Sequence, residues 1–315
     1  MVSLVMSPMK LMSMSLMVIG TVLSVSSEEL VGVWLGMELN LYGFLVIMNP
    51  DGHYIPEPCV KYFVVQSTGS ILMLGGFVLL MQQFVAGGLM MSVVGTVLKS
   101  GISPLHSWVP STIKNSSWLA SGLMLTWQKV APLILLSMIM PLGGMWTVIG
   151  LMAMIGAVGG LNQNSVRIMS AYSSFVHTSW MLLGLTWSTV VFMSYFLVYS
   201  MSVGLFFYGC SLMNKLSMMS QLSGAASGMG LMMLMGMPPF LGFLAKVLVF
   251  LMSSSAIIVL CIMGSVISLK YYIDFFYSMV MSSLIDKNKS EVKAMWMLVT
   301  SMNLMGGALI LVSFL

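Results

Sequence analysis

Five titratable residues of this chain stand inside long apolar runs, where a charge is costly. Glu38 sits in V-G-V-W-L-G-M-E-L-N-L, Lys129 in L-T-W-Q-K-V-A-P, His177 at the end of A-Y-S-S-F-V-H, and Lys246 at the end of G-M-P-P-F-L-G-F-L-A-K. Lys99 closes an apolar run and is followed by Gly101, Pro104, His106 and Pro110. In a membrane a mid-helix Lys or Asp costs about 2.5–3.5 kcal/mol, so such residues persist where they face a bundle interior or water. A lysine withdrawn from water holds its proton less tightly, and a neighbouring carboxylate restores that hold. A Glu38 that approaches or leaves Lys99 would therefore load or unload it. The chemistry these residue types support is a proton relay through Lys99, Lys129, His177 and Lys246. Moving a charge against a potential costs about 2.3 kcal/mol per 100 mV, and the chain offers no energy source for that work.

Two of the lysines stand beside expected helix breaks. Pro104 cannot donate to the Ser100 carbonyl, and Gly101 weakens the same turn. Pro238 and Pro239, flanked by Gly236 and Gly242, do the same further on. Unwound backbone at membrane depth is tolerated only inside protein or along a water-filled cavity. A lysine at each break points to a hydrated interior at two places. His106, next to the first break, is a candidate either for the relay or for a structural hydrogen bond. The blander reading of any one buried lysine is a structural bond to a carbonyl. Lys270 and Asp274 read as an i,i+4 pair toward one end of a helix, with snorkelling. Asp51-x-His53 is too thin for a metal site.

The elements that hold these residues are membrane helices. Of 315 residues 59% are hydrophobic and 6% charged, with a mean hydropathy of +1.02. Soluble domains carry about 25% charged residues, so lipid must be the main solvent. A spanning helix needs about 20 mostly apolar residues. Eleven runs satisfy that, near 9–25, 30–49, 60–81, 84–108, 117–140, 145–161, 168–187, 189–213, 229–253, 256–280 and 294–315. The expected fold is all-α and polytopic. No stretch alternates with the period of two that a membrane β-barrel needs, and none is polar or long enough for a soluble domain.

Orientation follows from the basic residues. The N-terminus and the loops after the even-numbered runs hold Lys10, Lys61, Lys114, Arg167, Lys215, Lys287, Lys289 and Lys293, while the opposite loops hold Glu28 and Glu29. By the positive-inside rule the N-terminus is inside and the C-terminus outside. The first run follows Lys10 without an A-x-A cleavage site and reads as a membrane helix. The broken helices are the fourth and ninth, an odd offset that inverts topology. Residues 9–140 and 145–280 are therefore expected to be inverted repeats of five helices, each with a discontinuous helix, followed by a C-terminal helix at 294–315. In that register Glu38 corresponds to His177.

Other chemistry is not encoded. Cys59, Cys210 and Cys261 are too few and too dispersed for a cluster or structural zinc site, and read as small apolar fillers. Phosphate-cradling loops, nucleophile elbows and haem-spaced histidines are missing. Gly224 to Gly230 suits close helix packing. The net charge of +4 does not suggest nucleic acid. Methionine, at 38 residues, exceeds what packing explains and suggests the codon bias of animal mitochondrial genes.

The ordered set W-L-G-M-E-L-N (34–40), K-S-G-I-S-P-L-H-S-W-V-P (99–110), L-T-W-Q-K-V-A-P (125–132), A-Y-S-S-F-V-H (171–177) and G-M-P-P-F-L-G-F-L-A-K (236–246) resembles a known family. It is similar to the mitochondrially encoded chain 2 family of NADH–ubiquinone oxidoreductase, antiporter-like subunits of the membrane arm of respiratory complex I. The animal form of that family has eleven helices, three fewer at the N-terminus than its longer relatives. The resemblance implies proton translocation in the mitochondrial inner membrane, driven by quinone reduction elsewhere, with the N-terminus in the matrix and the C-terminus in the intermembrane space. It implies that Glu38 and Lys99 form an input-side ion pair, that Lys129 is the central relay lysine, and that Lys246 lies near the exit with His177 on the axis between. It further implies partnership with other membrane-arm subunits and lipids. NADH, flavin, iron–sulfur clusters and ubiquinone would be held by other subunits, with no cofactor or metal bound here. The 50–58 loop departs from the family pattern. Two other readings are open at this level, a stand-alone secondary cation/proton antiporter and a structural scaffold whose charges glue helices together.

Overall fold

The computed structural model describes residues 8–49, 56–215, 221–253 and 255–283. Among them there are thirteen helices and no strand. The chain divides into two compact units, Met1–Met145 and Trp146–Leu315.

The first unit is built from α1 (Pro8–Ser26), α2 (Leu30–Met48), α3 (Glu57–Met81), α4 (Val85–Ser100), α5 (Trp108–Ile113), α6 (Trp118–Leu125) and α7 (Trp127–Ile139). Lipid removes the hydrophobic drive between membrane helices, so close packing depends on small residues. A methyl group on Gly20 of α1 would lie 2.5 Å from the Asn40 nitrogen of α2. One on Gly95 of α4 would lie 2.7 Å from the Gly69 carbonyl of α3. These two contacts fix the α1–α2 and α3–α4 hairpins, and Val33, Met37, Met73, Phe77, Ala131 and Leu135 close a core across α2, α3 and α7.

The second unit contains α9 (Val166–Leu185), α10 (Thr189–Lys215), α11 (Gln221–Met235), α12 (Leu241–Met252) and α13 (Ile258–Ser283); α8 (Leu142–Gly160) begins at the boundary. Among the described residues of the two units, seven helices, the α6–α7 pair counted as one, are long and apolar enough to cross a membrane. α9 is not among them, because Ser170, Ser173, Ser174, Thr178 and Ser179 dilute its hydropathy. It is buried from Met169 to Leu185 apart from the half-buried Tyr172, so neighbouring helices, not lipid, are its solvent. The small-residue stretch of α11 meets α10 closely: a methyl on Gly230 would lie 2.6 Å from the Phe206 nitrogen.

Both expected breaks are present, and they share one geometry. α4 ends at Gly101, with φ 66°, and α11 ends at Gly236, with φ 73°. Glycine enters this left-handed region without the Cβ penalty other residues meet. At the first break Gly101 N–H bonds Leu98 O and Ile102 N–H bonds Val97 O. At the second, Gly236 N–H bonds Met233 O and Met237 N–H bonds Met232 O. Each is a Schellman closure, after which proline prevents the helix from resuming at once.

Ten of the eleven apolar runs are helical; 294–315 lies outside the described residues, as do Asp51, His53, Lys287, Lys289 and Lys293. Two readings need correction. The 117–140 run is not one helix: it is interrupted at Thr126, whose φ of −110° and ψ of −82° are not helical. Thr126 N–H and its hydroxyl both bond Gly122 O, at 3.1 and 2.8 Å, and Pro132 denies Gln128 O its usual donor. Lys270 and Asp274 are not at a helix end, since α13 continues to Ser283. Both are exposed, and the ion pairs among the described residues are Glu57–Lys61 and Glu38–Lys99.

Candidate functional site

In the first unit the site is assembled around the end of α4. Lys99, 4% exposed, occupies its last turn, and its Nζ donates to Glu38 Oε1 of α2 at 2.9 Å. The Glu38 side chain is 16% exposed and that of Lys99 is 2% exposed, so water screens the pair little. Lys99 is threaded past α3 at Gly69, where a methyl would stand 2.8 Å from its Cγ. Only glycine lets the lysine stem pass.

A helix that stops inside protein leaves carbonyls without donors, and side chains fill that need here. Gln66 of α3 donates to Lys99 O at 2.9 Å, and the Trp108 indole at the start of α5 donates to Leu98 O at 3.1 Å. Tyr62 of α3 lies against Trp108, with ring centroids 5.9 Å apart, and its hydroxyl donates to Gln128 Oε1 at 3.2 Å. Gln128 and Asn40 form a reciprocal amide pair, both bonds 3.0 Å. Lys129, next to Gln128, is 4% exposed and sits just past the Thr126 interruption. The Glu38–Lys99 pair thus lies among Asn40, Tyr62, Gln66, Trp108 and Gln128, and Lys129 follows Gln128 in the chain. His106 is half-buried beside the break, its Nδ1 3.2 Å from Pro104 O.

In the second unit Lys246 of α12 reaches back across the other break. Its Nζ donates to Met235 O at 2.9 Å, the last carbonyl of α11. The lysine opens onto a cavity of about 380 Å³ lined by Trp180, Gly236, Pro238 and Ile273 among others. His177 is 4% exposed and lies between two tyrosines. Its Nδ1 is 2.9 Å from the Tyr195 hydroxyl of α10 and its Nε2 is 3.2 Å from the Tyr272 hydroxyl of α13.

Sequence reading found the charges but not most of their partners. Tyr62, Gln66, Gln128, Tyr195 and Tyr272 are ordinary membrane-helix residues by type. The available signal was their polarity at mid-helix, beside Lys99, Lys129 or His177 once the helices are folded together. Among the described residues no group of three or more His, Cys, Asp or Glu is placed to hold a metal. The three cysteines are buried and free.

Residues 82–270 match the transmembrane family described as NADH:quinone oxidoreductase/Mrp antiporter. The NADH-ubiquinone oxidoreductase chain 2 of Mytilus edulis is 82% identical over 98% of both chains, and that of Anopheles gambiae is 33% identical over 91% of this chain and 89% of its own. The chain belongs to the NADH-ubiquinone oxidoreductase chain 2 family. As a member of that antiporter-like family it is an all-helical, multi-pass membrane protein. Its fold is that of a chain in respiratory complex I from Thermus thermophilus with bound aureothin, with a TM-score of 0.79 at 21% identity over 98% of this chain and 81% of that one. A chain of the Mrp complex from Dietzia is similar, with a TM-score of 0.74 at 15% identity over 85% of this chain and 60% of that one. The segment that matches the family holds Lys99, Lys129, His177 and Lys246, and both helix breaks; Glu38 lies before it.

Proposed function

We propose that this chain 2 family member is a proton-translocating membrane subunit of NADH:ubiquinone oxidoreductase, moving protons through Glu38, Lys99, Lys129, His177 and Lys246. The observation that carries this reading is the Glu38–Lys99 pair, two nearly buried opposite charges placed at a helix break. A buried pair contributes little to stability compared with an apolar replacement. A structural account therefore leaves the pair unexplained, whereas a relay needs a lysine whose hold on its proton depends on a movable carboxylate.

Lys129, deeply buried and next to the Asn40–Gln128 amide pair, is the central lysine of this reading. Lys246, opening onto its own cavity, is the one on the exit side. His106 is a candidate for the entry side, since it lies at the first break. The chain contributes no redox chemistry: NADH, flavin, iron–sulfur clusters and ubiquinone belong to other subunits, and the work of moving protons is supplied from there. Its partners are the neighbouring membrane-arm subunits and lipid. Its place is the mitochondrial inner membrane, N-terminus in the matrix and C-terminus in the intermembrane space, supported by the one-sided basic residues. An inverted-repeat relationship between 9–140 and 145–280 is supported by the shared Schellman closure at Gly101 and Gly236, each with a proline within three residues.

The test is Lys129→Met in the intact complex in sealed vesicles. NADH-driven proton uptake per NADH oxidised falls while the complex still assembles; full pumping in the variant overturns the relay. If the purified chain alone exchanged cations for protons in liposomes, the stand-alone antiporter would replace this reading.

A further inference from the structure

His177 has an unusual pair of partners. In a neutral imidazole one nitrogen donates and the other accepts, and the partners decide which. A carbonyl or a carboxylate can only accept, so it locks one tautomer. Here both nitrogens face tyrosine hydroxyls, Tyr195 at 2.9 Å and Tyr272 at 3.2 Å, and a hydroxyl both donates and accepts. Either tautomer can be satisfied by these two hydroxyls.

The three groups come from three helices, α9, α10 and α13, and all are buried, Tyr195 at 2% and Tyr272 at 1% exposed. Beside them is a small cavity of about 10 Å³, lined by His177, Tyr195, Tyr199, Ser202, Met233, Gly242 and Ala245. That is about the room one water needs, and a buried water needs two to four polar partners. Tyr195, Tyr199 and Ser202 are the hydroxyl-bearing residues of its lining, the Ser202 hydroxyl donating to Tyr199 O. Part of the wall is the α11–α12 break itself: Gly242 touches the Met233 carbonyl so closely that no Cβ fits there, and Ala245 precedes Lys246.

We propose that Tyr195, His177 and Tyr272 form a tautomer-switching proton relay, and that the small cavity holds the water joining it to the α11–α12 break. In one passage the water takes up a proton from the side of the α11–α12 break and gives one of its own to Tyr195 Oη, as that hydroxyl's proton moves to His177 Nδ1. Nε2 releases its proton to Tyr272 Oη, which passes its own on through the Ser173 and Tyr271 hydroxyls hydrogen-bonded to it. One proton enters and one leaves, every group ends neutral, and the imidazole is left in its other tautomer. The triad thereby carries a proton without a buried imidazolium or phenolate persisting, which the low dielectric around it would penalise.

This proposal rests on the relay reading above, and its test separates the two. Tyr195→Phe and Tyr272→Phe each remove a hydroxyl and keep the ring; Tyr208→Phe, at an exposed position of α10, is the control. The measurement is proton uptake per NADH oxidised in sealed vesicles, with complex content and NADH oxidation followed in parallel. Both inner variants are expected to fall to the ratio of Lys129→Met, at normal complex content, while Tyr208→Phe keeps the native ratio. Native ratios in Tyr195→Phe and Tyr272→Phe, with Lys129→Met impaired, overturn the triad and leave the relay reading standing. A native ratio in Lys129→Met overturns both. Where a variant does not assemble, a high-resolution map of the native complex decides: a water within hydrogen-bonding distance of Tyr195, Tyr199 or Ser202 supports the proposal, and an empty cavity overturns it.

Discussion

The Glu38 carboxylate and the Lys99 ammonium meet at 2.9 Å across 61 positions of sequence, one from the middle of α2 and the other from the last turn of α4. Removing one partner of a buried pair leaves the other charge uncompensated, at a cost of about 3–5 kcal/mol. Glu38→Gln and Lys99→Met should each lower complex content and abolish coupled pumping. The double variant restores much of the complex, because no charge is left stranded, but not the pumping. Quantifying assembled complex beside the proton-to-NADH ratio checks this, and recovery of pumping in the double variant would show the charges to be structural glue.

Gly69 offers a way to displace Lys99 without touching its charge. A Cβ there stands 2.8 Å from Lys99 Cγ and 3.2 Å from Gly95 O, so Gly69→Ala must push the lysine stem or part the two helices. Pumping is expected to fall severalfold with NADH oxidation retained. Gly75→Ala, whose Cβ meets only the flexible end of Met91, is the matched control and should pump normally.

The two left-handed glycines should respond alike to a methyl group. An L-residue in this conformation costs about 1–2 kcal/mol. At Gly101 the added Cβ also collides with Val109, and at Gly236 it would stand 3.1 Å from Lys246 Nζ. Gly101→Ala and Gly236→Ala should each lower the thermal midpoint of the complex by several degrees. Gly236→Ala should in addition disturb the Lys246–Met235 bond and so reduce pumping. An unchanged midpoint in both would show that neither break is strained by a side chain.

The Asn40–Gln128 pair predicts a coupling energy. Each amide satisfies the other through two bonds, so Asn40→Leu alone removes the acceptor of the half-buried Gln128 amide N–H while its Oε1 keeps Tyr62, and an unmet buried polar group costs about 1–3 kcal/mol. Asn40→Leu combined with Gln128→Leu should be less destabilising than the sum of the singles, by at least about 1 kcal/mol. Thermal unfolding of the four complexes measures it; strict additivity would mean the pair is not coupled.

Much of this protein was readable before any fold was available. The apolar runs located the helices to within a few residues for most elements, because a lipid solvent leaves so few backbone solutions. Gly101–Pro104 and Gly236–Pro238 announced their breaks through local stereochemistry alone. The five titratable residues stood out for the same reason, since charge among apolar neighbours is expensive wherever the helix points. The interruption at Thr126 was not legible: it depends on a hydroxyl turning back onto Gly122, and the same Thr can equally sit in a straight helix. The end-of-helix reading of Lys270 and Asp274 failed because α13 runs on to Ser283, beyond where hydropathy alone ended it.

What the sequence determined by itself was the solvent, the helices, their two glycine–proline breaks and the roster of charges, all properties of neighbours along the chain. What only the tertiary structure decided was partnership. Glu38 finds Lys99 because Gly69 leaves room for a lysine stem. Gln128 finds Asn40 across 88 positions, and His177 lies between Tyr195 and Tyr272 because three helices converge on one ring. Such contacts depend on which helix faces meet. In a membrane that is set by small-residue packing and scattered hydrogen bonds, not by the hydrophobic pattern that makes the helices visible.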